Sequence, residues 1–133
     1  MTHNRSDHHY DDFFPDVIAD IKQTLSIAEK YQISHDHILL DPGIGFGKTY
    51  EQNLLLLKEA HQLKQFDLPL LLGTSRKSVI GLALDLPKDQ REEGTIATTL
   101  WGRMQGFMFF RVHDVKSNHR ALKMWETIKK AGE

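Results

Sequence analysis

The 133 residues predict an α/β architecture in which parallel strands carry helices on their outer side. Three observations lead there. Strand and helix signals alternate three times along the chain, which implies parallel strands joined by right-handed crossovers. The strand candidates at 38–40, 70–72 and 107–110 are short apolar runs, and the continuous run at 70–72 is the pattern expected when both faces of a parallel sheet are covered. Each run then breaks into glycine, hydroxyl and charged residues, the composition of a ligand crevice at C-terminal strand ends.

Taken in order, residues 1–12 are polar and histidine-rich, with His3, His8 and His9 near Asp7, Asp11 and Asp12. Metal binding is one reading. No helical or strand spacing fixes these side chains, so the stretch is read as a solvated loop. Asp11 or Asp12 can cap a first helix with Pro15 in its first turn, and Val17, Ile18, Ile21, Leu25 and Ala28 form its apolar face. It ends near Tyr31, and the strand at 38–40 runs into Asp41. A glycine-rich turn then hands the chain to a helix over 50–65, marked by Leu54, Leu55, Leu57, His61 and Leu63 and stopped by Pro69.

The strand at 70–72 breaks at Gly73-Thr74-Ser75-Arg76-Lys77-Ser78, after which a helix runs through Val79, Ile80 and Leu82 to Leu84. A polar segment with Pro87 separates it from a helix over 94–103. The strand at 107–110 precedes Arg111-Val112-His113-Asp114, and the last helix, over 117–131, turns Leu122, Trp125 and Ile128 inward. Trp101, Met104, Phe107, Met108, Phe109 and Phe110 read as ordinary core rather than a cofactor box. Three strands cannot close a (β/α)8 barrel, which takes about 250 residues. Met1–Asn4 would supply the stub of one more strand. The fold class is therefore a partial TIM (β/α)8 barrel, a C-terminal portion of a larger one with outer helices, with residues 1–133 forming part of one barrel domain.

Composition narrows the function classes. A formal net charge of −1 gives no general field to draw the protein to nucleic acid or an anionic membrane, so any anion site must be local. Without cysteine there is no disulfide framework, thiolate metal site or thiol nucleophile, which fits a reducing compartment. The polar start and the absence of any apolar run near about 18 residues predict neither signal peptide nor membrane span. The expected location is cytoplasmic.

Two phosphate-binding motifs fail on the stretch Asp41-Pro42-Gly43-Ile44-Gly45-Phe46-Gly47-Lys48-Thr49. A P-loop needs a glycine where Pro42 stands, and a dinucleotide fingerprint needs one where Lys48 stands. What remains is a turn with room for a ligand, or a glycine-rich connector with a helix cap. Arg76 and Lys77 beside a helix start, reinforced by Arg111 and His113, form a local anion site suited to phosphate or pyrophosphate. The alternative pairs Arg76 and Arg111 with Asp41, Asp114 or Glu93 as structural bridges. Asp41 can take two hydrogen bonds from an amino-imino edge such as that of a pterin or guanine, or can act only as a cap. His113 can serve a phosphate leaving group, or be a hydrogen-bonded structural histidine. His35, His37, His61 and His119 have no partner spacing and read as surface or helix-face residues.

Together, Asp41 to Thr49, Gly73 to Ser78 with Ile80-Gly81, and Arg111-Val112-His113-Asp114-Val115 resemble the dihydropteroate synthase family of folate biosynthesis. The opening Met1-Thr2-His3-Asn4-Arg5 also resembles the end of that family's fifth barrel strand. The likeness covers essentially this whole chain but only the C-terminal half of the family's barrel. It implies a transferase, the target of sulfonamides, that joins 6-hydroxymethyl-7,8-dihydropterin diphosphate to p-aminobenzoate and releases pyrophosphate. By resemblance, Asp41, Lys77 and Arg111 bind the pterin; Phe46, Lys77 and Ser78 bind p-aminobenzoate; and Arg111, Val112 and His113 hold pyrophosphate. Lys77, Arg111 and His113 are then the catalytic set. The resemblance also implies magnesium, its ligand expected in the N-terminal half that this chain lacks, and a homo-oligomer, a dimer. The 133 residues alone are expected to have little or no activity. Two further readings compete: the related pterin-binding barrel of methyltetrahydrofolate methyltransferases, and an inactive half-barrel that associates with another chain.

Overall fold

The computed structural model describes residues 10–133. The expected strand stub at Met1–Asn4 and the cluster of His3, Asp7, His8 and His9 lie outside the described residues. Helix α1 spans Tyr10–Lys30. Its start at Tyr10 puts Asp11 and Asp12 inside the first turn rather than at the cap, and moves Pro15 into the second turn. Phe13, Phe14 and Ile21 are its buried side chains, and Val17, Ile18 and Leu25 pack against the same core. The two phenylalanines adjoin in sequence, so only one fits a narrow 3.6-residue stripe.

The three apolar runs do associate in parallel. Leu40 bridges Leu70, and strand β1 (Leu71–Leu72) pairs with strand β2 (Phe109–Phe110) in the register Leu71 to Phe109 and Leu72 to Phe110. The third run is shorter than 107–110, because the amides of Met108 and Phe109 both donate to the Leu70 carbonyl, at 3.1 Å each, and the regular ladder starts only there. Alternation then sorts the side chains. Leu70 and Leu72 are buried and Phe110 packs on the same core, whereas Leu39 is 45% and Phe109 50% exposed. The helices cover one face of the sheet. Coverage of both faces, expected from the apolar run at 70–72, is not found among the described residues, and the open face carries Leu39, Leu71 and Phe109.

The predicted helix over 50–65 divides into α2 (Tyr50–Lys58) and a 3-10 segment, Ala60–Phe66, which keeps Ala60 and Leu63 in the core. Thr49 and Gln52 form a reciprocal capping box at its start. The left-handed Asp67, rather than Pro69, is the residue that ends the 3-10 segment. Helix α3 spans Ser78–Leu84, the Pro87 segment holds a 3-10 turn at Lys88–Gln90, and α4 spans Glu92–Gln105, two residues longer at each end than predicted. Helix α5, Val115–Lys129, packs along α4 and starts two residues early because the Asp114 carboxylate caps it at Ser117 N.

Two core expectations are corrected. Leu122 and Trp125 are half-buried but Ile128 is 63% exposed, since nothing described covers the outer side of α5's last turns. Within the aromatic cluster only Phe107 is fully buried, with Phe110 beside it, while Trp101, Met104, Met108 and Phe109 are exposed. Met108 and Phe109 lie on the edge strand and its open face, and Trp101 uses its indole N–H on the Leu57 carbonyl at 2.7 Å. Among the described residues, no helix is long and apolar enough to cross a membrane.

Candidate active site

The expected strand at 38–40 is reduced to a single parallel bridge from Leu40 to Leu70, and Asp41, directly after it, opens the loop at the C-terminal rim of the sheet. The carboxylate accepts the Gly43 amide at 2.8 Å, an Asx-type turn that starts the glycine loop. Gly43, Gly45 and Gly47 have φ of 78°, 89° and 64°, the left-handed region in which a side chain is strained. The loop is fixed from below. Buried Asn53 accepts the Gly45 amide at 2.8 Å, Lys48 Nζ donates to the Gly43 and Phe46 carbonyls, and Ile44 plugs into the core. Phe46 is left 66% exposed at the rim.

The second loop, Gly73 to Lys77, follows β1 and is held by several independent bonds. Thr74 and Thr98 share a hydrogen bond of 2.6 Å, the Arg76 amide donates to Thr95 Oγ1, and Arg91 Nη1 donates to the Arg76 carbonyl at 2.9 Å. These bonds hold Arg76 at φ 58°, a strained value for a non-glycine residue. Gly81 is what admits Arg91, since a Cβ there would meet the guanidinium at 2.2 Å. Lys77 then caps α3, and Ser78, exposed, is its first residue.

The third loop continues β2. The Arg111 amide donates to the Leu72 carbonyl at 3.0 Å, and the Arg111 guanidinium lies over Gly73, where a Cβ would come within 2.8 Å of Nη2. Ser75 Oγ lies 2.8 Å from His113 Nδ1 and accepts the His113 main-chain amide at 3.1 Å. Val112 is half-buried between two exposed neighbours.

Lys77 is the meeting point. Its ammonium donates to the Ile44 carbonyl at 2.7 Å and stands 4.9 Å from the centre of the Phe46 ring. Burial lowers its pKa from the ordinary 10.5, the Arg111 guanidinium lowers it further, and the Asp41 carboxylate pulls the other way. Both charges are thus near enough to act on it. Asp41, Phe46, Lys77 and Arg111, from three loops, form one cluster, with His113 held beside it through Ser75. The bridging alternative is not what forms: Arg76 and Arg111 pair with none of Asp41, Asp114 or Glu93, whereas Arg103 pairs with Glu126 at 3.3 Å. His35, His37, His61 and His119 are exposed, as expected.

Sequence reading missed the supporting residues Asn53, Arg91, Thr95 and Thr98. Thr95, Thr98 and Thr99 do carry a signal, a polar stripe at helical spacing on a helix whose opposite neighbours are apolar. Among the described residues no three His, Asp or Glu side chains converge where they could hold a metal ion.

With this geometry in view, likenesses to known proteins become informative. The sequence pattern of the pterin binding enzyme family matches residues 1–113. The dihydropteroate synthase of Clostridium beijerinckii is 49% identical over 129 residues, 96% of this chain and 48% of the relative. That of Bacillus subtilis is 41% identical over 132 residues, 99% of this chain and 46% of the relative. A dihydropteroate synthase of Coxiella burnetii solved with pteroic acid superposes with a TM-score of 0.90 at 31% identity, covering 97% of this chain and 49% of that one. The Yersinia pestis enzyme in a sulfonamide drug complex gives 0.87 at 38% identity, covering 92% and 45%. The chain spans about half the length of the curated relatives it matches.

Proposed function

The chain belongs to the pterin binding enzyme family, and from that premise we propose that it forms the C-terminal half of a dihydropteroate synthase barrel, with residues 1–133 within one domain. The reaction joins 6-hydroxymethyl-7,8-dihydropterin diphosphate to p-aminobenzoate, yielding dihydropteroate and pyrophosphate. The observation that carries the reading is the Lys77 ammonium set among Asp41, Phe46 and Arg111.

In this reading Asp41 accepts the amino-imino edge of the pterin, and Arg111 lies against its ring. Lys77 contacts the pterin and, with Phe46 and the Ser78 hydroxyl, borders the p-aminobenzoate pocket. Arg111, the Val112 backbone and His113 hold the diphosphate. The bond from the pterin methylene carbon to the diphosphate oxygen breaks with its electron pair leaving on pyrophosphate, and the aryl amine nitrogen bonds to that carbon and gives up a proton to water. Negative charge gathers on the departing pyrophosphate as the bond breaks. Two fixed donors, a guanidinium and an imidazole, stabilise that charge without reorganising, and this is the principal source of rate. Magnesium, when bound by residues outside this chain's described half-site, would supply further charge neutralisation on the diphosphate; none of the steps assigned to these residues uses it.

The proposal extends to a cytoplasmic location, supported by the cysteine-free composition, and to a homo-oligomer, a dimer, supported by the exposed Met124 and Ile128 on the outer helix α5. Binding of inorganic pyrophosphate by the wild type and Arg111→Ala tests the site assignment. Loss of one charge-assisted contact should weaken binding by about 10- to 100-fold. Equal affinity would remove Arg111 from the anion site.

A further inference from the structure

The register between β1 and β2 does not stop where the strands stop. Leu71 pairs with Phe109 and Leu72 with Phe110. The same step places Gly73 under Arg111 and Ser75 against His113, 38 residues apart like the strand partners. The loop after β1 is thus a template for the loop after β2.

The hydrogen-bond balance at Ser75 fixes more than position. The residue is buried, 7% exposed, in a turn held by Thr95, Thr98 and Arg91. Its hydroxyl has one proton to give. Oγ already accepts the His113 main-chain amide at 3.1 Å, and among the described residues His113 Nδ1, at 2.8 Å, is the acceptor that the hydroxyl reaches. With the serine proton directed at Nδ1, a neutral ring must carry its own proton on Nε2.

We propose that Ser75 is a positioning residue that fixes His113 as the Nε2–H tautomer, so that the exposed side of the ring presents a donor to an anion at the strand ends. Use of that donor on pyrophosphate rests on the synthase reading, whereas the tautomer rests on the Ser75 geometry alone. Gly73 complements it by leaving space for the Arg111 guanidinium on the same rim.

Nitrogen NMR of the histidine-labelled chain, at about pH 8.5 where an ordinary imidazole is neutral, tests this directly. In the wild type, Nδ1 of His113 should resonate as an unprotonated and Nε2 as a protonated ring nitrogen. Ser75→Ala should move the two resonances toward each other as the tautomers mix, and Ser75→Thr, which keeps the hydroxyl, should restore the separation. A proton on Nδ1 in the wild type would overturn the proposal without any variant being needed, and so would a Ser75→Ala spectrum identical to the wild type. Pyrophosphate titration of the same samples separates the two ideas. Ser75→Ala should bind about tenfold more weakly, the change expected for one misdirected hydrogen bond to a charged group. A wild type with the expected tautomer but no pyrophosphate binding would support Ser75's role and sink the synthase reading.

Discussion

Lys77 shows how a single residue can report on its surroundings. Its amine is partly desolvated and faces a guanidinium, and only the Asp41 carboxylate favours its charged form. The lowered pKa has a definite sign for stability. Between the folded value and the ordinary 10.5, the unfolded chain binds more protons than the native chain, so stability rises with pH across that window; below it, the charged lysine is a standing cost. Asp41→Asn should push Lys77 lower still, and Arg111→Ala should raise it. Both shifts can be read from the pH titration of the Lys77 side-chain resonances, and an unmoved titration in both variants would mean that the three groups do not share a site. Asp41, Lys77 and Arg111 were legible in the sequence because each stands where an apolar run breaks. Ser75's partner was not, since a hydrogen bond between positions 75 and 113 depends on strand register, which no local pattern encodes.

Elements were legible where local chemistry was strong. Glycine spacing marked the loop after Leu40, and the three glycines there do take positive φ. The division of the 50–65 helix at Glu59 was not legible, because the apolar stripe continues across it and only the winding tightens. Helix α4 makes a second hidden choice at Gly102, which in sequence looks like a weak point in a helix. In the fold it is a contact surface: a Cβ there would meet Leu72 Cδ2 at 2.6 Å and Phe110 Cε1 at 3.2 Å. Leu72 is buried and has little room to yield. Gly102→Ala should therefore lose about 1–2 kcal/mol in denaturant unfolding, the overpacking cost outweighing the helix-propensity gain. A stabilised variant would show that α4 can shift off the sheet.

At the scale of the whole molecule, alternation of elements foretold parallel strands, and the strands are parallel. Among the described residues the helices cover one face, as the partial-barrel reading with outer helices expects, whereas alternation alone does not distinguish this from helices on both faces. An apolar run states that a face is destined for burial but not which residues will bury it, and Leu39, Leu71 and Phe109 have no covering layer among those described. In a closed barrel that face would be the interior, and the rim with Asp41 and Arg111 would surround a pocket. Half of such a rim leaves a ligand open to water, where charge stabilisation is weak. The purified 133-residue chain should accordingly make little or no dihydropteroate. Addition of a polypeptide carrying the N-terminal half of the Clostridium beijerinckii relative should raise product formation, and substantial turnover by the chain alone would show that the second half is dispensable.

Convergence of three separate loops on one pterin diphosphate site is the claim on which the rest stands, and calorimetry with a non-reactive dihydropterin diphosphate analogue tests it most directly. The wild type should bind the analogue, and Asp41→Ala should bind it about 100-fold more weakly, since two hydrogen bonds to a carboxylate are lost. Equal affinity in the two proteins, or no binding by the wild type, would contradict it.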